Sequence, residues 1–270
     1  MSEKDKEQFL TDMGAQLAGW REPGERMREA LARDELVLFC QPIAALAGAV
    51  RFPLAEVLVR LWEEEKALLP PGEFLPAFER YGLMPELDRW VVNHVVGHLA
   101  RGSRMAQFSI NLSSQTVADA DFPKAVAVDL VSAGVPGTAL LFEVGEEDCL
   151  ARPAILQRFA AAVRAVGCGL VVDGFGRRAA TFTPLKLLRP DYVKVDGTIV
   201  RKLLSAPAAE AKLKAMLRVG DAFGFELIAE MVEDQDILTR LKALGVRYAQ
   251  GFGITQPHPI DRLAGGTNAT

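Results

Sequence analysis

Short runs of apolar residues alternate along the chain with longer segments in which apolar residues recur at helical spacing. Eight of the apolar runs have the length and composition of strands. They cover 36–40, 55–61, 108–112, 140–144, 170–172, 192–195, 226–229 and 248–252. Amphipathic segments of helical length lie between most of them, for example over 85–101, 154–166, 208–223 and 234–244. This alternation predicts an α/β fold, and eight strands separated by helices favour a (β/α)₈ barrel.

A doubly wound open sheet is the alternative that the same alternation allows. That fold normally carries a glycine-rich phosphate loop after an early strand. The sequence contains neither a GxGxxG nor a Walker A pattern. A barrel unit of about 230 residues has an ordinary size for its class. The barrel is therefore the favoured prediction.

The connection between the first two predicted strands is unusually short. It reads QPIAALAGAVRFPL and is interrupted by Pro42, Gly48 and Pro53. Parallel strands need a crossover of a dozen or more residues, usually helical, and these pieces are too short for a helix with its loops. The first two strands should therefore run antiparallel. The predicted fold is a modified (β/α)₈ TIM-like barrel with an antiparallel first strand.

The same pattern divides the chain into three parts. Residues 1–33 form an N-terminal helical segment, which is either a linker or a helix packed on the core. Residues 34–262 form the barrel domain, and 263–270 form a flexible tail. The methionine at position 1 favours a stand-alone protein, although a fragment of a longer protein would look the same.

Composition and charge narrow the class of protein. The chain has 270 residues, half of them hydrophobic, and a formal net charge of −4, so bulk charge does not favour DNA or RNA polymers as partners. No apolar signal segment and no run of about 20 apolar residues is present. The three cysteines, Cys40, Cys149 and Cys168, lie far apart in apolar surroundings, which indicates buried free thiols. These features predict a cytoplasmic protein without a membrane segment.

Polar residues lie near the ends of nearly every predicted strand. They are Glu56, Asn111, Glu143, Asp173, Lys194, Asp196, Glu230, Glu233 and Gln250. In barrel enzymes the carboxyl ends of the strands form one mouth, which holds the active site. Carboxylate and amide oxygens suit Mg²⁺ or Mn²⁺ rather than zinc. Glu56 fits this pattern less neatly, because it lies near the start of its apolar run.

Nine motifs in these stretches resemble those of EAL domains, the bacterial phosphodiesterases that open cyclic di-GMP. EVLVR (56–60) resembles EALVR, SINLSS (109–114) resembles VNLS, and FEVGEE (142–147) resembles LEITES. VVDGFG (171–176) resembles LDDFG, and IAEMVED (228–234) resembles AEGVET. The resemblance covers 36–259, with the motifs in order and at the family's spacing. The family's fold is a modified barrel with an antiparallel first pair of strands.

The resemblance implies a role for each matching residue. Glu56, Asn111, Glu143 and Asp173 match ligands of a divalent metal, Mg²⁺ or Mn²⁺. Lys194 and Glu230 match residues that hold or activate the attacking water. Gln41, Arg60, Glu233 and Gln250 match positions in or beside the binding site of the dinucleotide. Glu146 matches a residue that steadies the loop after the strand over 170–172.

That loop departs from the family pattern. The family reads DDFGTGYSS and this chain reads DGFGRRAAT. Gly174 therefore stands in place of the second aspartate, and Arg177 and Arg178 stand in place of the threonine and the glycine. One metal site keeps its four ligands, whereas the second loses its anionic ligand. Met231, in place of a glycine, puts a large side chain beside Glu230.

Three functions follow as hypotheses. The first is a degenerate EAL domain that binds cyclic di-GMP as a receptor or regulatory module with little or no hydrolysis. The second is a slow metal-dependent phosphodiesterase that gives linear pGpG, and the third is a ligand-independent protein-interaction module. The partners expected are cyclic di-GMP, a regulatory protein and a second copy of the chain in a homodimer.

Overall fold

The computed structural model describes residues 20–63, 67–177 and 181–264. Its strands are β1 (Leu36–Ala45), β2 (Leu54–Glu63), β3 (Ala67–Leu69), β4 (Gln107–Asn111), β5 (Leu140–Gly145), β6 (Gly169–Phe175), β7 (Tyr192–Val195), β8 (Glu226–Ala229), β9 (Tyr248–Ala249) and β10 (His258–Pro259). Its helices are α1 (Pro23–Ala32), α2 (Pro71–Arg80), α3 (Met84–Ala100), α4 (Ser114–Ala118), α5 (Phe122–Ala133), α6 (Glu146–Ala151), α7 (Pro153–Ala165), α8 (Thr183–Leu188), α9 (Gly197–Val200), α10 (Pro207–Phe223) and α11 (Gln235–Leu244).

Eight of these strands close into a barrel. Strands β2, β4, β5, β6, β7, β8 and β9 pair in parallel in that order, and β1 closes the ring antiparallel to both β2 and β9. The barrel with an antiparallel first strand is therefore confirmed, and the open doubly wound sheet is excluded. Strands β3 and β10 extend the sheet as antiparallel partners of β2 and β1.

Helices cover the outside of the barrel, and their apolar faces form the main core. Phe122 on α5, Phe142 on β5 and Phe159 on α7 meet there with ring centroids 5.7–6.4 Å apart. The three cysteines are free and buried, as predicted, and burial raises the pKa of each thiol to about 12. Among the described residues, no helix combines the length and the apolar character that a membrane span requires.

Both ends of the described chain pack on this core. Met27 and Ala30 of α1 are fully buried. At the other end, the backbone carbonyl of Leu263 accepts a hydrogen bond from Arg104 N at 2.7 Å. Residues 1–19 of the predicted first segment and 265–270 of the predicted tail lie outside the described residues. The division at 33 and 262 stays a prediction.

The barrel interior has an apolar layer below its mouth. A separate cluster of buried side chains fills it, made of Ile43, Leu54, Leu141, Val171 and Ile228 with Tyr192 and Tyr248 packed against it. Side chains in a strand alternate between the two faces, so the residue two positions closer to the mouth also points inward. On the parallel strands this residue follows the apolar one, and on the antiparallel β1 it is Gln41, two positions before Ile43. Each of these residues is polar, so a polar ring lies directly above the apolar layer.

Strand β6 extends further than its apolar run suggested. The sequence predicted a strand over 170–172 with Asp173 at its end, but β6 continues to Phe175. Its pairing with β7 is irregular between Val172 and Phe175, and Gly174 has a φ of 66°. A glycine in the left-handed region is typical of a bulge, which lets the strand continue past an unpaired residue. Asp173 therefore lies inside an irregular strand.

Candidate functional site

A ring of eight polar residues lies at the mouth of the barrel, one from each barrel strand or from the position directly after it. The ring consists of Gln41, Glu56, Asn111, Glu143, Asp173, Lys194, Glu230 and Gln250. All eight belong to the set that the sequence singled out.

Glu56 accepts hydrogen bonds from three members of the ring. Its Oε2 accepts from Lys194 Nζ and from Gln250 Nε2, both at 2.7 Å, and its Oε1 accepts from Asn111 Nδ2 at 2.8 Å. Burial alone would raise the pKa of Glu56, but Lys194 and the two amide donors outweigh it, and the pKa is lowered. Glu56 is therefore ionised. Although Glu56 lies near the start of β2, it belongs to the ring at the mouth, where Gln41 of the antiparallel β1 lies directly opposite it.

Lys194 is the buried cation of the ring. Its side chain is 1% exposed, and its Nζ lies 2.8 Å from Glu143 Oε2 and 3.8 Å from Glu230 Oε1. Burial lowers the pKa of Lys194, but the carboxylates of Glu143, Glu56 and Glu230 outweigh it and hold the pKa well above its ordinary value. The ammonium group is therefore charged and neutralises part of the acidic ring.

Glu143 and Glu230 hold their protons more tightly than ordinary glutamates. Burial, opposed by Lys194 and reinforced by the neighbouring carboxylates, raises the pKa of Glu143 to about 7 and that of Glu230 to about 8. Glu143 Oε1 is buried and has no hydrogen-bond partner among the described residues. An acceptor left in this state costs free energy unless a cation or a proton reaches it.

This donor set fits one divalent cation by its chemistry. The four residues offer oxygen ligands, the type that Mg²⁺ and Mn²⁺ prefer; they are Glu56, Asn111, Glu143 and Asp173. Glu143 Oε1 has no hydrogen-bond partner in the described part of the chain. Within the described ranges, however, no three His, Cys, Asp or Glu side chains converge in a metal-binding arrangement. Lys194 lies among them instead. A cation at this place would share the carboxylates of Glu56 and Glu143 with the Lys194 ammonium.

A second cation is not supported by the residues beside Asp173. Gly174 contributes only a backbone N–H, which donates to Asp173 Oδ1 at 2.7 Å. Arg177 lies next to it, and its Nε donates to Asp196 Oδ2 at 2.7 Å. The sequence singled out Asp196 as a polar strand end but gave it no role. Arg178 falls outside the described residues.

Glu146 lies behind this loop on α6. Its Oε1 accepts a hydrogen bond from Gly176 N at 3.1 Å. The side chain is 5% exposed. This contact joins the start of α6 to the end of β6, which is the geometry that a loop-anchoring role requires. The role itself stays a prediction.

A cavity of about 180 Å³ opens beside the ring. Of the predicted site residues it contacts Gln41, Glu56, Glu230, Glu233 and Gln250. Two lining residues, Met231 and Phe252, were not predicted to bind a ligand. Their exposed fractions are 44% and 66%, large for apolar side chains, but sequence alone does not reveal exposure.

Arg60 does not line this cavity. Its Nη1 donates to the carbonyl oxygen of Val59 at 2.8 Å, and its guanidinium carbon lies 5.5 Å from the centre of the Phe39 ring. Residue 60 is four positions beyond Glu56 on β2. Because side chains in a strand alternate, Arg60 lies on the same face of β2 as Glu56, further from the apolar layer of the barrel. Its contact with a ligand stays a prediction.

Comparison with known proteins gives three findings. The family model described as "EAL domain" matches residues 25–257. A protein of Shewanella oneidensis named "Cyclic di-GMP phosphodiesterase PdeB" is 32% identical over 238 residues, which are 87% of this chain. The chain spans only 28% of that relative's length.

Solved structures agree with the sequence matches. The structure titled "PaMucR Phosphodiesterase, c-di-GMP complex" has a TM-score of 0.81 at 27% identity and covers 88% of this chain and 98% of its own. The FimX EAL domain from Pseudomonas aeruginosa, bound to c-di-GMP, has a TM-score of 0.80 at 26% identity, with coverages of 86% and 94%. Both structures therefore resemble almost the whole barrel.

Proposed function

The chain belongs to the EAL domain family, and from this premise we propose that it is a receptor that binds cyclic di-GMP with little or no hydrolysis. The observation that carries the proposal is a contrast within the mouth. The ring around Glu56 and Lys194 has all of its predicted polar residues. Beside Asp173, in contrast, position 174 is a glycine without a carboxylate, and Arg177 pairs with Asp196.

The charges of the ring support binding through a single divalent cation. Three carboxylates pair with Lys194 at 2.7–3.8 Å, and the charge of Asp173 also acts on it. A phosphodiester anion would therefore be repelled without a further positive charge. The donor set of Glu56, Asn111, Glu143 and Asp173 supplies the place for that ion. When bound, the ion provides Lewis acidity and charge neutralisation to the phosphodiester.

The cavity beside the ring supports recognition of a nucleotide base. Phe252 exposes an aromatic face on which a base can stack. Gln41 and Gln250 hydrogen-bond to each other at 3.0 Å, and Gln41 Nε2 is held by the carbonyl oxygen of Thr255 at 2.9 Å. A volume of about 180 Å³ is below the roughly 300–1,000 Å³ of ordinary ligand pockets, so only part of a dinucleotide would enter it.

Hydrolysis is expected to be weak because one cation alone would serve the reacting phosphate. Two metal ions about 3.5–4 Å apart stabilise both the attacking and the leaving oxygen in phosphodiester hydrolysis. Gly174 offers no carboxylate for a second ion. Loss of a charged ligand of this kind costs several kcal/mol of transition-state stabilisation, or about 10³-fold in rate.

A slow phosphodiesterase that gives linear pGpG is the second candidate. Retention of Glu56, Asn111, Glu143, Asp173, Lys194 and Glu230 favours it. A ligand-independent interaction module has less support, because a scaffold has no physical need for a buried lysine among carboxylates. A regulatory protein partner, a homodimer and a cytoplasmic location stay predictions.

Calorimetry with cyclic di-GMP in Ca²⁺ tests binding, and chromatography of the same mixture in Mg²⁺ or Mn²⁺ tests turnover. We expect a micromolar or tighter complex with the ligand recovered intact. Glu56→Gln should weaken binding, whereas Glu226→Gln, at the opposite end of the barrel, should not. Conversion of the bound ligand to linear pGpG would support the second candidate. Absence of binding at high micromolar ligand would support the third.

A further inference from the structure

The guanidinium group of Arg177 lies where a side chain at position 174 would point. A Cβ atom built on Gly174 would have Arg177 Nη2 as its nearest neighbour, at 4.0 Å. Gly174 has a φ of 66°, so glycine suits the backbone there. The space that an acidic side chain would face is therefore next to a cation.

Asp196 binds the Nε edge of the Arg177 guanidinium group and leaves its Nη groups open. Arg177 Nε donates to Asp196 Oδ2 at 2.7 Å; the Asp196 side chain is 2% exposed and that of Arg177 is 67% exposed. The other carboxylate oxygen of Asp196 accepts from Thr198 N at 2.9 Å and so caps α9. A carboxylate held at both oxygens is a rigid anchor, which leaves the Nη groups of Arg177 accessible.

The surroundings of Arg177 are acidic. With Asp173, Glu146 and Glu147 it lines a small cavity of about 90 Å³ beside the mouth. The hydrogen bond that Arg177 donates to Asp196 raises the pKa of Arg177, and the charges of Asp173 and Glu147 add to this effect. A second metal ion in this cavity would meet a fixed positive charge and would gain no ligand from position 174.

We propose that Arg177 is a built-in cation of the site, which takes the place of a second metal ion and binds a phosphodiester oxygen of the ligand. The identity of the ligand as cyclic di-GMP rests on the proposed function. A guanidinium fork can donate two hydrogen bonds to one phosphate, and this pairing is charge-assisted. A guanidinium cannot activate water as a metal ion does, so this replacement favours binding over hydrolysis.

The proposal predicts how position 174 responds to mutation. A carboxylate introduced by Gly174→Asp would face Arg177 and pair with it rather than bind a metal. Restoring the acid alone should therefore leave the site with one metal ion. Aspartate is among the few residues other than glycine that adopt a positive φ readily, so the variant is compatible with the backbone.

Cyclic di-GMP affinity in the presence of Ca²⁺ tests the phosphate contact. Arg177→Gln should weaken binding about tenfold or more, because it removes a charge-assisted hydrogen bond, and Arg177→Lys should lose less. Arg247→Gln is the matched control, since Arg247 is similarly exposed and pairs with Glu226 at the other end of the barrel. Equal affinity of Arg177→Gln and the wild type would overturn the proposal. If the wild type binds no cyclic di-GMP, the proposed function and this phosphate contact fail together.

The number of Mn²⁺ ions bound by each chain tests whether Arg177 takes the place of a second metal ion. Electron paramagnetic resonance counts these ions in the absence of the dinucleotide. We expect one Mn²⁺ per chain in the wild type and in Gly174→Asp, and two in Gly174→Asp/Arg177→Thr. The uncharged control Gly174→Asn/Arg177→Thr should bind one. A second Mn²⁺ in the Gly174→Asp single variant, or only one in the Gly174→Asp/Arg177→Thr variant with its fold intact by circular dichroism, would overturn the proposal.

Discussion

The side chain of Met231 packs directly against the backbone of Gly197 at the mouth of the barrel. A methyl group built on Gly197 would lie 2.8 Å from Met231 Cβ, well inside the 3.5–4.0 Å at which carbon atoms pack. Met231 also has a φ of 54°, a conformation that costs a residue other than glycine roughly 1–2 kcal/mol. The two positions are therefore coupled, and Met231 narrows the cavity at a cost in backbone strain.

This coupling predicts the result of a double-mutant cycle. Gly197→Ala should destabilise the wild type by about 1–3 kcal/mol, because the new methyl group overpacks against Met231. In the Met231→Gly background the same change should be neutral or slightly stabilising. Urea unfolding of the four proteins measures both effects. Equal effects of Gly197→Ala in the two backgrounds would contradict the contact.

Met231→Gly alone should widen the cavity that Glu230 and Phe252 line. The variant should be as stable as the wild type or more so, since Met231 is 44% exposed and its strain is relieved. Cyclic di-GMP should bind severalfold more tightly by calorimetry. Weaker binding would mean that Met231 contacts the ligand favourably instead of narrowing its pocket.

Asp88 predicts a pH dependence of stability that is independent of the ligand site. Burial raises the pKa of Asp88 to about 6, although Thr116 Oγ1 and Ser113 N donate to its Oδ2 at 2.6 and 2.9 Å. The folded protein therefore binds more protons at this group than the unfolded chain between about pH 4 and pH 6. Stability from this group is present at low pH and is lost as the pH rises through that range.

Asp88→Asn should remove this loss of stability with rising pH, because asparagine keeps an acceptor oxygen and does not ionise. Relative to the wild type, the variant should gain about 2–3 kcal/mol of unfolding free energy between pH 4 and pH 7. Urea unfolding at several pH values measures the difference. Asp221→Asn, the same substitution at an exposed position, is the matched control. A constant difference between Asp88→Asn and wild type at all pH values would refute the assignment.

The charge of Lys194 should contribute strongly to the stability of the folded protein, and Ca²⁺ should partly replace it when it is removed. Lys194→Met leaves Glu56, Glu143 and Glu230 without their buried counter-charge and should cost about 3–5 kcal/mol at pH 8. The cost should be smaller at pH 5, where these carboxyl groups can take up protons. Ca²⁺ should raise the melting temperature of the variant more than that of the wild type, because no ammonium competes for Glu56.

The exposed Lys214→Met is a suitable control for this experiment, since Lys214 pairs with Glu210 on the outside of the barrel. It should cost less than about 1 kcal/mol at either pH. A Lys194→Met variant that is equally stable at both pH values, with no response to Ca²⁺, would show that the ring carries less charge than its geometry indicates.

Sequence periodicity was sufficient to predict most of the barrel and seven of the eight residues of its polar ring, whereas Gln41 followed only from the family resemblance. The bounds of β7 and β8 match the predicted apolar runs. Because side chains in a strand alternate between its two faces, Lys194 lies on the same face of β7 as Tyr192, two positions before it. The bulge at Gly174 was not predictable in this way, since it depends on pairing with β7 about 20 residues away. The same holds for the Arg177–Asp196 pair, which forms only after β6 and β7 align.

The most direct test of the receptor account is a single-turnover experiment. The protein, in excess over cyclic di-GMP and with Mn²⁺ present, is incubated for an hour, separated from free ligand, denatured and analysed for the nucleotide that it held. The account predicts that the recovered nucleotide is intact cyclic di-GMP. Recovery of most of the nucleotide as linear pGpG would contradict the receptor function and identify the chain as a working phosphodiesterase.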